Sequence, residues 1–328
     1  MSRAKGPRAR RLAAVPAPVT TRPREWGPLV ALLAMTAAWG STFFLIHDLV
    51  TRLPVTDLLA VRFAVAAVTL VLVAGRRLRL TRRTLRSGAL LGLLYGVAQI
   101  LQTVGLAHTA ASVSGFVTGL YVVATPLLAA VLLRARVLPT TWLAAGLATV
   151  GLGVLSLHGF ALGYGELLTL LSALVYAGHI LVMGRLSHPG EALGLSVVQV
   201  VVIALVCTVA ACWPGSGTGA GLQLPVGAAD WSAVLYLAVV AGALTTVLQT
   251  WAQARVEPTR AAVVMAMEPV WAAAFAVALG GERLTGRMVT GGVAILAAMY
   301  LVELAPRRPR PDAAGASPEV AARTAQEP

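Results

Sequence analysis

Charge is what this chain has least of. Charged side chains make up 12% of its 328 residues, with 13 acids against 26 bases. Soluble domains carry roughly 25%. Apolar residues reach 58%. The polar residues are too few to coat a globule of this size, which excludes a water-soluble domain. Cysteine is nearly absent as well. Cys207 and Cys212 lie five apart in one apolar run, on different sides of a helix, so neither a disulfide nor a metal pair is expected. No Gly-rich phosphate loop ending in Lys and Ser/Thr occurs, and no paired His-Glu motif or hydrolase triad. ATP is thereby excluded as a direct energy source, and no enzyme activity, metal or cofactor is expected. A secretory leader is not expected either. The tail from Met1 to Trp26 is long, basic and Pro-rich, and no small-residue cleavage site closes the first apolar run.

What is there is a series of apolar runs about 18–23 residues long, the length of a bilayer-crossing helix and too long for barrel strands. In lipid a backbone must satisfy its own hydrogen bonds, so such runs are helices. The expected fold is an all-α membrane protein with ten transmembrane helices. The spans are expected at Pro28–Val50, Asp57–Ala74, Ser87–Leu106, Ser112–Leu133, Thr141–Leu157, Gly165–Met183, Leu193–Trp213, Trp231–Ala252, Thr259–Leu279 and Arg287–Glu303. Disordered basic tails are expected at 1–26 and 305–328.

The net charge of +13 would suggest nucleic acid in a soluble protein. Here the bases lie in the tails and in alternate loops, with no continuous basic face, so no nucleic acid partner is expected. With a cytoplasmic N-terminus, the inside segments hold 22 of the 26 bases; the outside ones hold Arg52, Arg283 and Arg287, and Arg62 falls within a span. That asymmetry is the positive-inside signal. It predicts an even number of spans and two cytoplasmic termini in the cell membrane.

The two halves echo each other. Leu101-Gln102-Thr103 precedes a span containing Pro126, and Leu248-Gln249-Thr250 precedes one containing Pro269. Gly146 and Gly151 mark the last helix of the first half, Gly291 and Gly292 that of the second. Five helices per copy is an odd number, so the copies, 27–158 and 159–304, insert upside down relative to each other. Inverted repeats of this kind hold a solute near the midplane.

At these positions the sequence resembles the EamA branch of the drug/metabolite transporter superfamily. The resemblance runs from Trp26 to Glu303. It is carried by Trp39-Gly40-Ser41-Thr42-Phe43, Arg62-Phe63, the stretch from Ala111 to Pro126, Met267-Glu268-Pro269-Val270 and Leu279-Gly280-Gly281-Glu282-Arg283. Where the family often has an acid after span 4, this chain reads Arg134-Ala135-Arg136. The resemblance implies an inner-membrane secondary carrier working by alternating access; it does not choose the solute.

Charges within lipid cost at least roughly 2.5–3.5 kcal/mol each at helix centre, so each needs a reason. Glu268, about ten residues into span 9 and directly before Pro269, is the first candidate for contact with a solute, a cation or a proton; the structural alternative is a buried ion pair or a hydrogen bond at the helix bend. Pro269 and Pro126 are expected to break their helices. Arg62 has two readings. It can bind a solute carboxylate, or it can snorkel or pair with Asp48 or Asp57, and the structural reading carries more weight. Gln99 and Gln102 in span 3 and Gln249 and Gln253 in span 8 offer donors and acceptors to a polar solute, or join helices. Trp39, Tyr95, Tyr121, Tyr176 and Trp271 can line a cavity or simply pack. His179 reads as a packed, hydrogen-bonded residue before a proton relay. Gly88, Gly92 and Gly96 form a small-residue stripe for close helix contact. Thr109 reads as a helix cap.

The expected function is secondary transport, by alternating access and an ion or solute gradient, of an amino acid or related metabolite, with export favoured. A drug or toxic-compound efflux carrier and a non-transporting sensor or scaffold are the alternatives. The expected partners are a small solute and the lipid bilayer, with protons and a second copy of the chain as further candidates.

Overall fold

A computed structural model describes residues 26–78, 80–134, 138–158, 161–186, 191–213, 222–246, 248, 252 and 264–304. The two tails, Gln249, Gln253 and Thr259 lie outside the described residues.

Ten apolar helical segments are present among the described residues. Six are long and apolar enough to cross a membrane; four are shorter, at Pro139–Leu155, Ala228–Leu244, Glu268–Ala278 and Gly286–Val302. The first span is α1 (Trp26–Leu49). Its 24 residues reach about 36 Å at 1.5 Å each, more than the roughly 30 Å hydrocarbon core. The others are α2 (Val55–Ala74), α3 (Arg82–Leu106), α4 (Ala111–Gly119), α5 (Tyr121–Leu133), α6 (Pro139–Ser156), α7 (Tyr164–Leu186) and α8 (Ala192–Ala211). Then come α9 (Ala228–Leu235) running into a π-helix over Tyr236–Leu244, α10 (Glu268–Ala278) and α11 (Gly286–Glu303). The start signals are local. Thr81 caps α3 by accepting from Thr84 N at 3.0 Å, and Thr285 caps α11 by accepting from Met288 N at 3.2 Å. An antiparallel pair of two-residue strands, Leu157–His158 and Ala161–Leu162, joins α6 to α7.

Two elements differ from the expectation. Span 4 is one apolar run but two helices, and its interruption falls at Leu120, six residues before Pro126, which sits inside α5. Gly119 explains the position. A Cβ there would lie 2.8 Å from Pro269 Cγ and 3.1 Å from Met299 Sδ, so spans 9 and 10 press on the chain at this point. Span 8 is the second difference, because its middle nine residues are π-helical, a form often found at functional sites.

With α4 and α5 as span 4, α9 and the π segment as span 8, α10 as span 9 and α11 as span 10, the most extensive contacts follow one rule: adding five to each span number turns one into another, whereas smaller contacts such as 1–4, 4–10 and 2–3 have no counterpart of like extent among the described residues. Span 3 packs on 6 and 7, and span 8 on 1 and 2; span 1 packs on 9, and span 6 on 4; the pairs 2–7, 4–9 and 5–10 map onto themselves. The 5–10 pair is reciprocal in detail. A Cβ on Gly151 would meet the Gly291 carbonyl oxygen at 2.9 Å, and one on Gly291 would meet that of Gly151 at 2.8 Å. The expected glycine stripe on span 3 packs as read: a Cβ on Gly88 would lie 2.6 Å from Val198, and one on Gly92 2.7 Å from Val202 and from the Gln199 carbonyl.

Among the described residues, interactions between loops gather at one end of the bundle. Arg52 bonds Asp48 at 2.6 and 3.0 Å and Asp230 at 3.0 Å, and these hydrogen bonds, that to Asp48 foremost, raise the Arg52 pKa. Asp57 accepts from Gln223 N at 2.9 Å, and Thr109 donates to Glu166 at 2.7 Å. Arg287 Nε donates to the Val154 carbonyl at 2.8 Å. Every one joins segments that the charge pattern assigns to the outer face.

Candidate functional site

The site begins on one face of α3. Tyr95, Gln99 and Gln102 stand at i, i+4 and i+7, so they share a side. That side meets α7, which presents Ser172, Tyr176 and His179 at the same spacing. Ser172 donates to the Ala98 carbonyl at 2.7 Å and ties the two helices together. The Tyr176 hydroxyl donates to Gln99 Oε1 in a short bond and reaches Gln102 Oε1 at 3.4 Å. Gln102 Nε2 donates in turn to Thr118 Oγ1 on α4 at 3.0 Å. The Tyr95 and Tyr176 rings meet edge to face, with centroids 5.3 Å apart.

Two charges flank this pair of tyrosines. Glu268 opens α10, where the preceding turn at Ala266–Met267 interrupts span 9. Pro269 falls in the first turn, where its missing N–H costs nothing. The carboxylate therefore stands at the positive end of a half-helix dipole. Glu268 is close enough to Tyr95 and Tyr176 to act on both electrostatically, and so is Arg62. Glu268, Tyr95 and Tyr176 are each partly buried.

Arg62 is where the expectation needs correcting. Its structural reading named Asp48 and Asp57 as partners, but Asp48 holds Arg52, and Asp57, fully buried, accepts from Gln223 N. Five residues turn a helix by about 500°, so Asp57 and Arg62 face different sides of α2. Nor does Arg62 snorkel to the surface: it is 7% exposed, with Nε buried and unbonded.

The remaining expectations divide. Gln99 and Gln102 join the cluster. Trp39 donates Nε1 to Thr245 Oγ1 at 3.1 Å, tying span 1 to span 8. Trp271 stacks near Phe275, with centroids 6.1 Å apart, and its buried Nε1 has no partner. Tyr121 packs against the apolar core of spans 4, 5 and 10. His179 bonds Gln199 at 2.9 Å, a packing role. Thr109 does not cap span 4; it bonds Glu166. The cap comes from across the bundle, where Glu282 accepts from Ala111 N at 2.6 Å, from Ser112 N at 3.3 Å and from the Ser112 hydroxyl in a short bond. The sequence reading missed this role, although Glu282 lay in a motif it quoted. It also missed the Ser41–Tyr236 hydroxyl bond of 2.8 Å between α1 and the π segment. A cavity of about 290 Å³ between the end of α1, the start of α4 and the segment Leu279–Glu282 after α10 is lined by His47, Asp48 and Glu282 among others and is separate from the tyrosine pair.

Comparison with known proteins agrees with this architecture. An uncharacterized transporter of Archaeoglobus fulgidus is 26% identical over 276 residues, covering 84% of this chain and 84% of its own. A protein of known crystal structure superimposes with a TM-score of 0.57 at 18% identity, over 84% of this chain and 96% of its own, a likeness of fold alone. The EamA-like transporter family model matches residues 25–157 and then 163–304. The chain is thus a multi-pass membrane protein that belongs to the EamA-like transporter family.

Proposed function

We propose that this protein is a secondary carrier that moves an amino acid or related small metabolite out of the cell by alternating access. The observation that carries the proposal is the hydrogen-bonded, largely buried polar cluster of Tyr95, Gln99, Gln102 and Tyr176 against Glu268 at an interrupted helix. Broken helices at mid-depth are where carriers hold solutes, because freed backbone groups and half-helix ends become available there. In this reading ten spans form two inverted five-helix halves, with both termini cytoplasmic. The exchange symmetry of the packing, the reciprocal Gly151–Gly291 contact and the two successive family matches support it. The gathering of the bonded outer loops at one end supports the order of the spans.

Glu268 contacts the solute or the coupling proton. The test is counterflow in proteoliposomes, with wild type beside Glu268→Gln. The expected result is loss of most flux with an unchanged elution profile and melting point. Full flux of the variant at every pH removes Glu268 from the mechanism.

A further inference from the structure

We infer that Arg62 is a carboxylate-binding subsite, so the transported solute carries a single carboxylate that docks on the Arg62 guanidinium. The inference rests on the carrier reading and names the solute class of that same site.

An arginine does not lose its proton in a protein, so burial cannot neutralise it. A buried guanidinium needs a counter-charge or a full set of acceptors. Arg62 has neither among the described residues. The two ion pairs present there both use Arg52. The Arg62 Nε is buried without a hydrogen bond. Its guanidinium carbon lies 5.1 Å from the centroid of the adjacent Phe63 ring, which supplies some negative potential but no acceptor. The other groups near enough to act on it are Tyr95, Tyr176 and Cys207, all neutral. Tyr176 belongs to the glutamine network, and its ring meets that of Tyr95 edge to face. An unpaired fork of N–H donors beside that polar cluster is half of a bidentate pair, and a carboxylate is the other half.

The surroundings select within the anions. A phosphate dianion would call for more than one cation, and Glu268 acts on the same tyrosine pair from its own side. A monoanion at Arg62 with its remaining groups pointing toward Glu268 fits both charges. The tyrosine pair lies within electrostatic reach of both, and Tyr176 bonds the Gln99 and Gln102 amides.

The test uses the full chain, purified in detergent and in proteoliposomes. The probes are matched triads: the twenty common L-amino acids, the amines that lack only their carboxyl, and the acids that lack only their amino group. Wild type, Arg62→Gln and Arg62→Lys are compared by thermal shift and by counterflow. The proposal expects carboxylate-bearing probes to stabilise wild type and to exchange, while the amines do neither. Arg62→Gln should weaken carboxylate binding roughly ten- to hundred-fold, the effect of losing a charge-assisted pair. Arg62→Lys, which keeps the charge without the fork, should fall between. A structural ion pair and a lone charge also differ without any ligand. Breaking a pair lowers the melting point, whereas removing an unpaired buried charge leaves it equal or higher, and the second result is expected. A lower melting point of solute-free Arg62→Gln overturns the proposal, and so does carboxylate flux that survives in it. Flux of amines alone overturns it while the carrier reading stands. Arg62-dependent carboxylate binding without flux upholds the subsite and overturns the carrier reading. Absence of both binding and flux in wild type overturns the two together.

Discussion

Replacing Glu282 with alanine removes the cap of a helix in the other half of the protein. Three donors converge on its carboxylate: the backbone N–H groups of Ala111 and Ser112 and the Ser112 hydroxyl. Loss of a good N-terminal cap costs about 1–2 kcal/mol. The charge on the helix dipole adds about 0.3–1 kcal/mol. Glu282 is only half-buried, so water replaces part of what is lost, and the full penalty for buried unsatisfied donors does not apply. The sum is about 2 kcal/mol, which for a chain of this length lowers the melting point by about 3 °C. Glu282→Gln keeps one acceptor oxygen and loses the charge, so its fall should be about half as large. The neighbouring Arg283 is exposed, and Arg283→Ala serves as the control. Thermal unfolding of the purified protein, followed by intrinsic tryptophan fluorescence, reads all three. If Glu282→Ala and Arg283→Ala melt within a degree of each other, the bonds at Ala111 and Ser112 contribute nothing, and the bridge from Glu282 to the start of α4 is not a real constraint.

Two further outcomes follow from helix crossings. A Cβ on Gly40 would lie 2.4 Å from Trp271 Cβ and 2.8 Å from the Ala272 backbone N, and backbone cannot yield as a flexible side chain does. Gly40→Ala should therefore cost about 1–3 kcal/mol through overpacking, and an unchanged melting point would show that spans 1 and 9 are not in close contact. Ser41 and Tyr236 share a hydroxyl bond of 2.8 Å. A double-mutant cycle of Ser41→Ala and Tyr236→Phe should give a coupling of about 0.6 kcal/mol, the size usual between membrane helices, and zero coupling would remove the bond.

Much of the fold was legible because lipid leaves a backbone few choices. Apolar runs predicted ten transmembrane helices; among the described residues six helices are long and apolar enough to cross a membrane and four more apolar helices are shorter. The glycines of span 3 predicted a tight contact, and Val198 and Val202 occupy it. What escaped the sequence depends on partners far along the chain. Proline chemistry pointed to a break at Pro126, but a proline can ride inside a membrane helix when neighbours support the turn. Pro126 lies inside α5, which runs on through it to Leu133. The break instead follows Gly119, whose meaning comes from Pro269 and Met299 on other helices. The π segment of span 8 has no local signature, since its composition is that of any apolar helix.

The candidate site shows the same division at the level of single charges. Hydropathy marks a charge within a span as costly, so Glu268 and Arg62 stand out from the sequence alone. It cannot say what compensates them, because compensation is a tertiary fact. For Arg62 the nearest acids in sequence were the natural partners, and both are committed elsewhere, Asp48 to Arg52 and Asp57 to the backbone at Gln223. Two charges of opposite sign are therefore kept apart with a pair of tyrosines in reach of both. A protein selected only for stability would let them meet or replace them with apolar residues, since an uncompensated buried charge costs more than either. Holding them separate makes sense when a third body, with its own charges, completes the arrangement for part of the cycle.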